Sequence, residues 1–248
     1  PVGQAASFEE KDAHPSAVEY LAGALGGELA VLFSDACARA GAEVRAVPFV
    51  DAGPLLERDA AARAGLGFVG RNTMLIRPGL GSWSFLGALL LDLDLPREPA
   101  ATCAPGCGDC RRCLDACPTG ALGAGYVLDA RRCASYWTIE HRGPIPHALR
   151  PLLGNRVFGC DDCNAVCPYN ATAGRRAAAT SEPAGPRTYD LGDLVGLDEA
   201  AFSERFAGTP VLRARRAGLV RNACVALGNW GRPEAVEPLV RALDDESP

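Results

Sequence analysis

Cys107-Gly-Asp-Cys110-Arg-Arg-Cys113-Leu-Asp-Ala-Cys117-Pro118 is the stretch on which the fold turns. Three cysteines at three-residue steps let a short loop wrap one side of a cubane 4Fe-4S cluster. The fourth follows after a wider gap, and the proline turns the chain away. In two-cluster ferredoxins that fourth cysteine serves the other cluster. A second set ends the same way, with Cys160-Asp-Asp-Cys163-Asn-Ala-Val-Cys167-Pro168, and its leading cysteine, Cys133, lies upstream of an insertion. The crossing rule then gives Cys107, Cys110, Cys113 and Cys167 to cluster one, and Cys117, Cys133, Cys160 and Cys163 to cluster two. The alternative is zinc, but structural zinc takes separated pairs of ligands, four per ion, and a tight run of four is a different arrangement.

Three cysteines stand outside these sets. Cys103 fits neither and reads as a spare thiol. Cys37 and Cys224 lie on helical patterns and read as buried apolar residues. The total of 11 is odd, and the clusters of C-x-x-C speak for metal rather than a disulfide framework. The compartment expected is therefore the reducing cytoplasm.

Working outward, the chain has 248 residues, 48% hydrophobic, with a net charge of −5. No apolar run reaches the ~18 residues of a membrane span. The run Leu86–Leu91 is stopped by Asp92 and Asp94. No signal peptide is evident, and the chain reads as a fragment. Upstream of the cysteines, Val18–Leu25 and Glu28–Ala40 read as helices and Glu43–Val50 as a strand. Pro54 opens a helix continuing through Leu55–Ala64. Thr73–Ile76 and a buried run at Phe85–Leu91 follow. Gly65-x-Gly67-x-x-Gly70 has the form of a dinucleotide fingerprint, but it follows a helical stretch where the fingerprint requires a strand, so we reject it.

Downstream, residues 171–187 read as a linker and the pattern from Tyr189 is helical. The segment Arg216–Leu243 has a Gly-Asn-Trp-Gly turn between two amphipathic helices. That unit is similar to a HEAT repeat, with an ordinary helical hairpin as the alternative. Residues 205–232 hold six arginines and no Asp or Glu.

Several strings outside the cysteines extend the reading: VDAGPLLERDAAARAGLGFVGRNTMLI (Val50–Ile76), GSWSFLGALL (Gly81–Leu90), LDARRCASYWTIEHRGPIP (Leu128–Pro146) and FGCDDCNAVCPYN (Phe158–Asn170). Together with the cluster motif and the helical tail, they resemble the epoxyqueuosine reductase family from about Phe49 to Pro248. The resemblance implies an α+β chain. Its parts would be an α/β cobalamin-binding domain over 1–100, N-terminally incomplete, a two-cluster ferredoxin-like domain over 101–175, and a HEAT-like helical region over 188–248. It implies reduction of epoxyqueuosine to queuosine at the wobble position of tRNA, with electrons passing through two 4Fe-4S clusters to cobalamin. The cofactors implied are those clusters and cobalamin. The partners are tRNA and an external electron donor, with the chain a monomer.

The resemblance also implies roles for single residues. Asp51 matches the proton donor, and its strand-end setting beside Phe49, Val50 and Pro54 would raise a carboxyl pKa. Leu75, Ser135, Asp161 and Asp162 match corrinoid contacts, with Asp51 beside them. The last three of those four neighbour ligands of cluster two. His141 matches a tRNA contact, its plainer reading being a surface helix residue. His14 and His147 read as surface residues. The acid-free arginine segment would grip tRNA phosphates or form a solvated helix face. Two readings from other classes remain open: a corrinoid reductive dehalogenase, and an electron carrier fused to a helical interaction module.

Overall fold

The computed structural model describes residues 30–41, 43–49, 55–94, 106–171 and 189–245. Outside them lie Val18–Leu25, His14, Val50, Asp51, Pro54, Cys103 and all of the expected linker but Ala171. The chain divides into two compact units. One takes Pro1–Phe68, Ser84–Ala104 and Gly208–Pro210; the other takes Val69–Trp83, Pro105–Ala207 and Val211–Pro248.

In the first unit, residues 30–39 form a helix, and Cys37 on it is half-buried rather than buried. The expected strand shortens to Ala46–Phe49, which pairs antiparallel with Ala88–Leu91 in the register Ala46↔Leu91 to Phe49↔Ala88. Pro48 is tolerated because a two-stranded sheet leaves each strand an edge for the missing N–H. The Asp92 carboxylate closes the ladder by accepting from the Arg45 N–H at 2.6 Å. The run Phe85–Leu91 is not buried as expected: Phe85 is 79% exposed. Among the described residues this sheet has two strands, too few to cover both faces. The helix Glu57–Arg63 carries acid in its first turn and Arg63 in its last, matching the helix dipole. It ends before the Gly65–Gly70 run, as the rejection of a dinucleotide site requires.

The second unit opens with a tight turn. Thr73 N–H donates to Gly70 C=O at 2.9 Å, and Gly70 N–H donates to Met74 C=O at 2.9 Å. Thr73 therefore sits at φ +62° and is not part of a strand, which shrinks to Leu75–Ile76. Gly70 is needed for close approach, since a Cβ there would lie 2.4 Å from Ile76 Cδ1.

The cysteine segment builds two short helices, Arg112–Ala116 and Asp162–Ala165, which pack on each other. Each is followed by its Cys-Pro, and the two ends repeat: Cys117 N–H donates to Leu114 C=O, Cys167 N–H to Asn164 C=O. The insertion between them holds a π-helix, Tyr136–Glu140, so His141 ends a wide turn and is not a residue within an α-helix.

The helical tail comprises Leu191–Val195, Glu199–Arg205, Arg215–Trp230 and Val236–Arg241. Asp190 caps the first, accepting from Gly192 and Asp193 N–H at 2.8 and 3.1 Å, and Asp198 caps the second through Ala201 at 2.7 Å. Leu194, Val195, Phe202, Phe206, Leu219 and Leu227 share one core, with half-buried Cys224 packed against it. Burying a side chain such as Phe206 contributes about 1.5–3 kcal/mol. The helix runs through Asn229 and Trp230, so the expected four-residue turn narrows to Gly231, a left-handed C-cap at φ +66°. A second core of Ala134, Ile145 and Leu153, with Trp137, Cys160 and Val225 against it, ties the cysteine segment to that helix.

Candidate metal centre

Four thiols surround one cavity. Its walls are Cys107, Cys110, Cys113 and Cys167 with Arg71, Asn72, Ile76, Arg112, Pro168 and Tyr169. These are the four cysteines that the crossing rule groups together, and they come from both ends of the segment. Cys113 and Cys167 are buried. Arg71 N–H donates to Cys107 Sγ at 3.4 Å, and Tyr169 Oη donates to Gly106 C=O at 3.0 Å. Among the described residues, no three Cys, His, Asp or Glu side chains close on one point as ligands of a metal ion. The thiols here frame a space instead.

The other four thiols are less evenly displayed. Cys163 is half-buried and has Cys160, Cys113 and Cys133 as neighbours, close enough that their thiolates would raise its pKa beyond what burial does. Cys117 sits in a nest of donors. Burial works to raise its pKa, but N–H groups of Leu122, Ala121 and Thr119 and the Thr119 hydroxyl outweigh it, so the net shift is down. Ala121 N–H reaches its sulfur at 3.2 Å.

Burial pushes up the thiols of Cys113, Cys160 and Cys167, and Cys163 most of all, to about 12. Left to themselves these sulfurs keep their protons near neutral pH. A metal site must displace them, so iron ligation and proton release are coupled. The donor set is four-thiol, soft and largely dry, which fits an iron–sulfur cluster.

The remaining sequence-derived positions fall as follows. Asp51 lies outside the described residues. Leu75 is only 3% exposed, so its side chain faces the interior. Ser135 is half-buried just ahead of the π-helix. Asp161 is exposed and accepts from Asn164 Nδ2 at 3.3 Å. Asp162 is paired with Arg156. The His141 ring packs on Trp137, centroids 4.2 Å apart, and its Nε2 lies 3.2 Å from Pro144 O. His147 is exposed, as expected.

Of the six arginines, three are engaged with acids or amide oxygens within the protein, while Arg205 and Arg232 lie over the rings of Tyr189 and Trp230. Arg216 pairs with Asp245 at 2.7 Å and Arg213 with Glu140 at 2.7 Å. Arg221 spends all five N–H groups: on the carbonyls of His141, Gly143 and Trp137, and twice on Asn222 Oδ1. The expectation of a phosphate-gripping row does not hold for these three.

Two polar constellations were missed in the sequence. Asn222 Nδ2 donates to Thr138 C=O and Val157 C=O, both at 2.8 Å, so Arg221 and Asn222 together satisfy carbonyls that the π-helix leaves over. The second is a buried network. Asn72 Nδ2 and Ser82 Oγ both donate to Asn164 Oδ1 at 3.1 Å, and Asn170 Nδ2 donates to Ser82 Oγ at 2.9 Å. It fastens residues 69–83 to the helix Asp162–Ala165 and the segment just after it. The available signal was Asn and Ser set inside otherwise apolar strings.

Comparison with known proteins agrees with this geometry. The family described as a 4Fe-4S double cluster binding domain matches residues 106–170. The chain is 48% identical over 205 residues to the epoxyqueuosine reductase of Xanthomonas campestris, covering 80% of this chain and 56% of that protein. It is 45% identical over 196 residues to that of Pseudomonas aeruginosa, covering 79% and 53%. The solved epoxyqueuosine reductase from Streptococcus thermophilus superposes with a TM-score of 0.75 at 31% identity, covering 93% of this chain and 60% of that one. Another solved epoxyqueuosine reductase, with an epoxyqueuosine-modified tRNA-Tyr stem loop, gives 0.76 at 28% identity, covering 92% and 60%. The chain thus spans about half the length of the curated relatives it matches. Over that span, in sequence, in fold and in its double-cluster segment, it resembles the epoxyqueuosine reductases.

Proposed function

We propose that this chain reduces epoxyqueuosine to queuosine in tRNA. The observation that carries the reading is the cavity walled by Cys107, Cys110, Cys113 and Cys167, in a fold shared with a relative solved with an epoxyqueuosine-modified stem loop. Cys107, Cys110, Cys113 and Cys167 hold one 4Fe-4S cluster; Cys117, Cys133, Cys160 and Cys163 hold the other. When bound, the clusters supply electrons at strongly negative potential, on the order of −400 mV, and a cobalamin supplies a low-valent cobalt suited to attack on an epoxide.

The chain's own residues handle binding and protons. Removing the epoxide oxygen takes two electrons and two protons and releases water. Asp51 delivers a proton to that oxygen as its C–O bond breaks. Ser135 and Asp161 would offer polar groups to hold the cobalamin. Leu75 joins them, and Asp162 is oriented by Arg156. His141, propped on Trp137, meets the tRNA. Residues 1–100 serve as the cobalamin domain, 101–175 as the cluster domain and 188–248 as a HEAT-like support. The reaction belongs in the cytoplasm, with an external electron donor and the chain acting as a monomer. Among the described residues no helix is long and apolar enough to cross a membrane.

The test is turnover of epoxyqueuosine-containing tRNA with cobalamin and a strong reductant. The chain is expected to form queuosine, and Asp51→Asn to keep its iron and corrin while losing turnover. Full activity in Asp51→Asn removes Asp51 from the mechanism. Clusters and corrin bound without turnover in the unaltered chain sink the assignment of substrate.

A further inference from the structure

We propose that Arg71 sets the reduction potential of the cluster held by Cys107, Cys110, Cys113 and Cys167, by offering it a guanidinium N–H and a positive charge. The inference rests on the ligand assignment above, not on the identity of the substrate.

Arg71 lines the same cavity as the four thiols. Its main-chain N–H donates to Cys107 Sγ at 3.4 Å, and its Nη2 donates to Gly108 C=O at 2.8 Å. The guanidinium is thereby fixed to the loop between the first two ligands. The Tyr126 ring, 5.8 Å from the guanidinium carbon, backs it from another side. With the group held this way, Arg71 Nε is buried and has no hydrogen-bond partner among the described residues.

Leaving such a donor unpaired is costly, and more so where the group is charged. Arg221, elsewhere in the same unit, satisfies every N–H it has. An orphaned N–H in the wall of a four-thiol cavity is explained by an acceptor that belongs in the cavity. A cluster's sulfurs are such acceptors, and hydrogen bonds to them are among the determinants of its potential. The cluster also gains a negative charge on reduction. A cation at short range stabilises the reduced form more than the oxidised form, so Arg71 raises the potential. Arg112, which also lines the cavity, adds to the positive side.

The experiment uses the full chain, reconstituted anaerobically with iron and sulfide, without tRNA or cobalamin. Its clusters are titrated with titanium(III) citrate and followed by electron paramagnetic resonance. Arg71→Gln is expected to keep the iron content of the unaltered chain. One of the two midpoints should fall, by at least a tenfold drop in the reduced-to-oxidised ratio at fixed poise. For a one-electron couple that is about 59 mV. The other midpoint should stay. Arg71→Lys keeps the charge without the fork and should shift less. Two unchanged midpoints in Arg71→Gln overturn the proposal. So does loss of one cluster's iron in both variants, which makes Arg71 a structural support. An unaltered chain that takes up no iron refutes the ligand assignment itself, and failed tRNA turnover bears on neither.

Discussion

Replacing Asn222 by Leu tests how the cluster segment is held to the long helix. Asn222 is 1% exposed, and its amide is fully used. It donates to Thr138 C=O and Val157 C=O, both at 2.8 Å, and accepts from Arg221 Nε and Nη2 at 3.1 and 2.9 Å. Leucine keeps the branched heavy-atom skeleton of asparagine and is the larger residue, so none of the effect comes from a cavity. Two neutral hydrogen bonds are lost, each worth about 0.5–1.5 kcal/mol net. The stranded carbonyls and the Arg221 N–H groups then go unpaired in a dry place, at about 1–3 kcal/mol for each group that water cannot reach. We expect a loss of about 3–6 kcal/mol, a large fraction of the 5–15 kcal/mol, roughly, that holds a domain together. The assay is urea denaturation of the cluster-loaded chain, followed by far-ultraviolet circular dichroism and by the cluster absorbance. Both midpoints should fall together, because the π-helix lies between Cys133 and Cys160. A loss below about 1 kcal/mol refutes the view that this amide pins the two parts together.

Other consequences are simpler to read. Gly70→Ala forces a Cβ to within 2.4 Å of Ile76 Cδ1, which at 1% exposure has little room to yield, so thermal unfolding should show a loss of about 1–3 kcal/mol. Cys110→Ser should lower the iron content of the reconstituted chain from about eight to about four atoms while Cys224→Ser leaves it unchanged, as an iron assay would show. Burial pushes the Cys224 thiol above its ordinary value of 9.0, with Asp245 adding to the shift. The neutral thiol is the form that the fold favours. Its contribution is therefore complete below pH 9.0 and is lost as pH rises through the raised value. In Cys224→Val this part of the alkaline decline in stability should be absent from a pH series of denaturation midpoints.

The cluster cysteines were legible because iron demands one residue type at fixed spacing, and nothing else in a chain imposes that pattern. Cys167 joining Cys107, Cys110 and Cys113 around one cavity follows from the same constraint. Short-range grammar was legible for the helix Glu57–Arg63, and it failed where a turn overrode it. Thr73 reads as a strand residue by its type, yet the hydrogen bonds from Gly70 to Met74 force it left-handed. The apolar run at Phe85 looked buried because composition says nothing of how many strands will cover it. The Asn72–Asn164–Ser82–Asn170 network was hidden for a different reason. Its partners lie as much as 92 residues apart, and an Asn in a loop carries no mark of the partner it will meet.

The arginines show how far charge patterning can mislead. An acid-free run of six suggests a surface for phosphates, but acids distant in sequence reach it: Glu140 to Arg213, and Asp245 to Arg216. Arg216 is largely covered, with a side chain 12% exposed, whereas Arg215 beside it is exposed. On the proposed tRNA reading, each phosphate contact contributes about 0.7–0.9 to the slope of log K against log salt. Arg215→Gln should flatten that slope by about this amount and leave stability nearly untouched. Arg216→Gln should do the reverse. It leaves Asp245, itself only 14% exposed, without its cation, which costs about 3 kcal/mol or more by the precedent of broken buried pairs. The slope should not change, because a guanidinium already bonded to Asp245 and to Leu197 C=O has released no counterion to tRNA. A slope that flattens equally in both variants would mean that the pair opens on binding, and that the sequence-level picture of a continuous basic row was right after all.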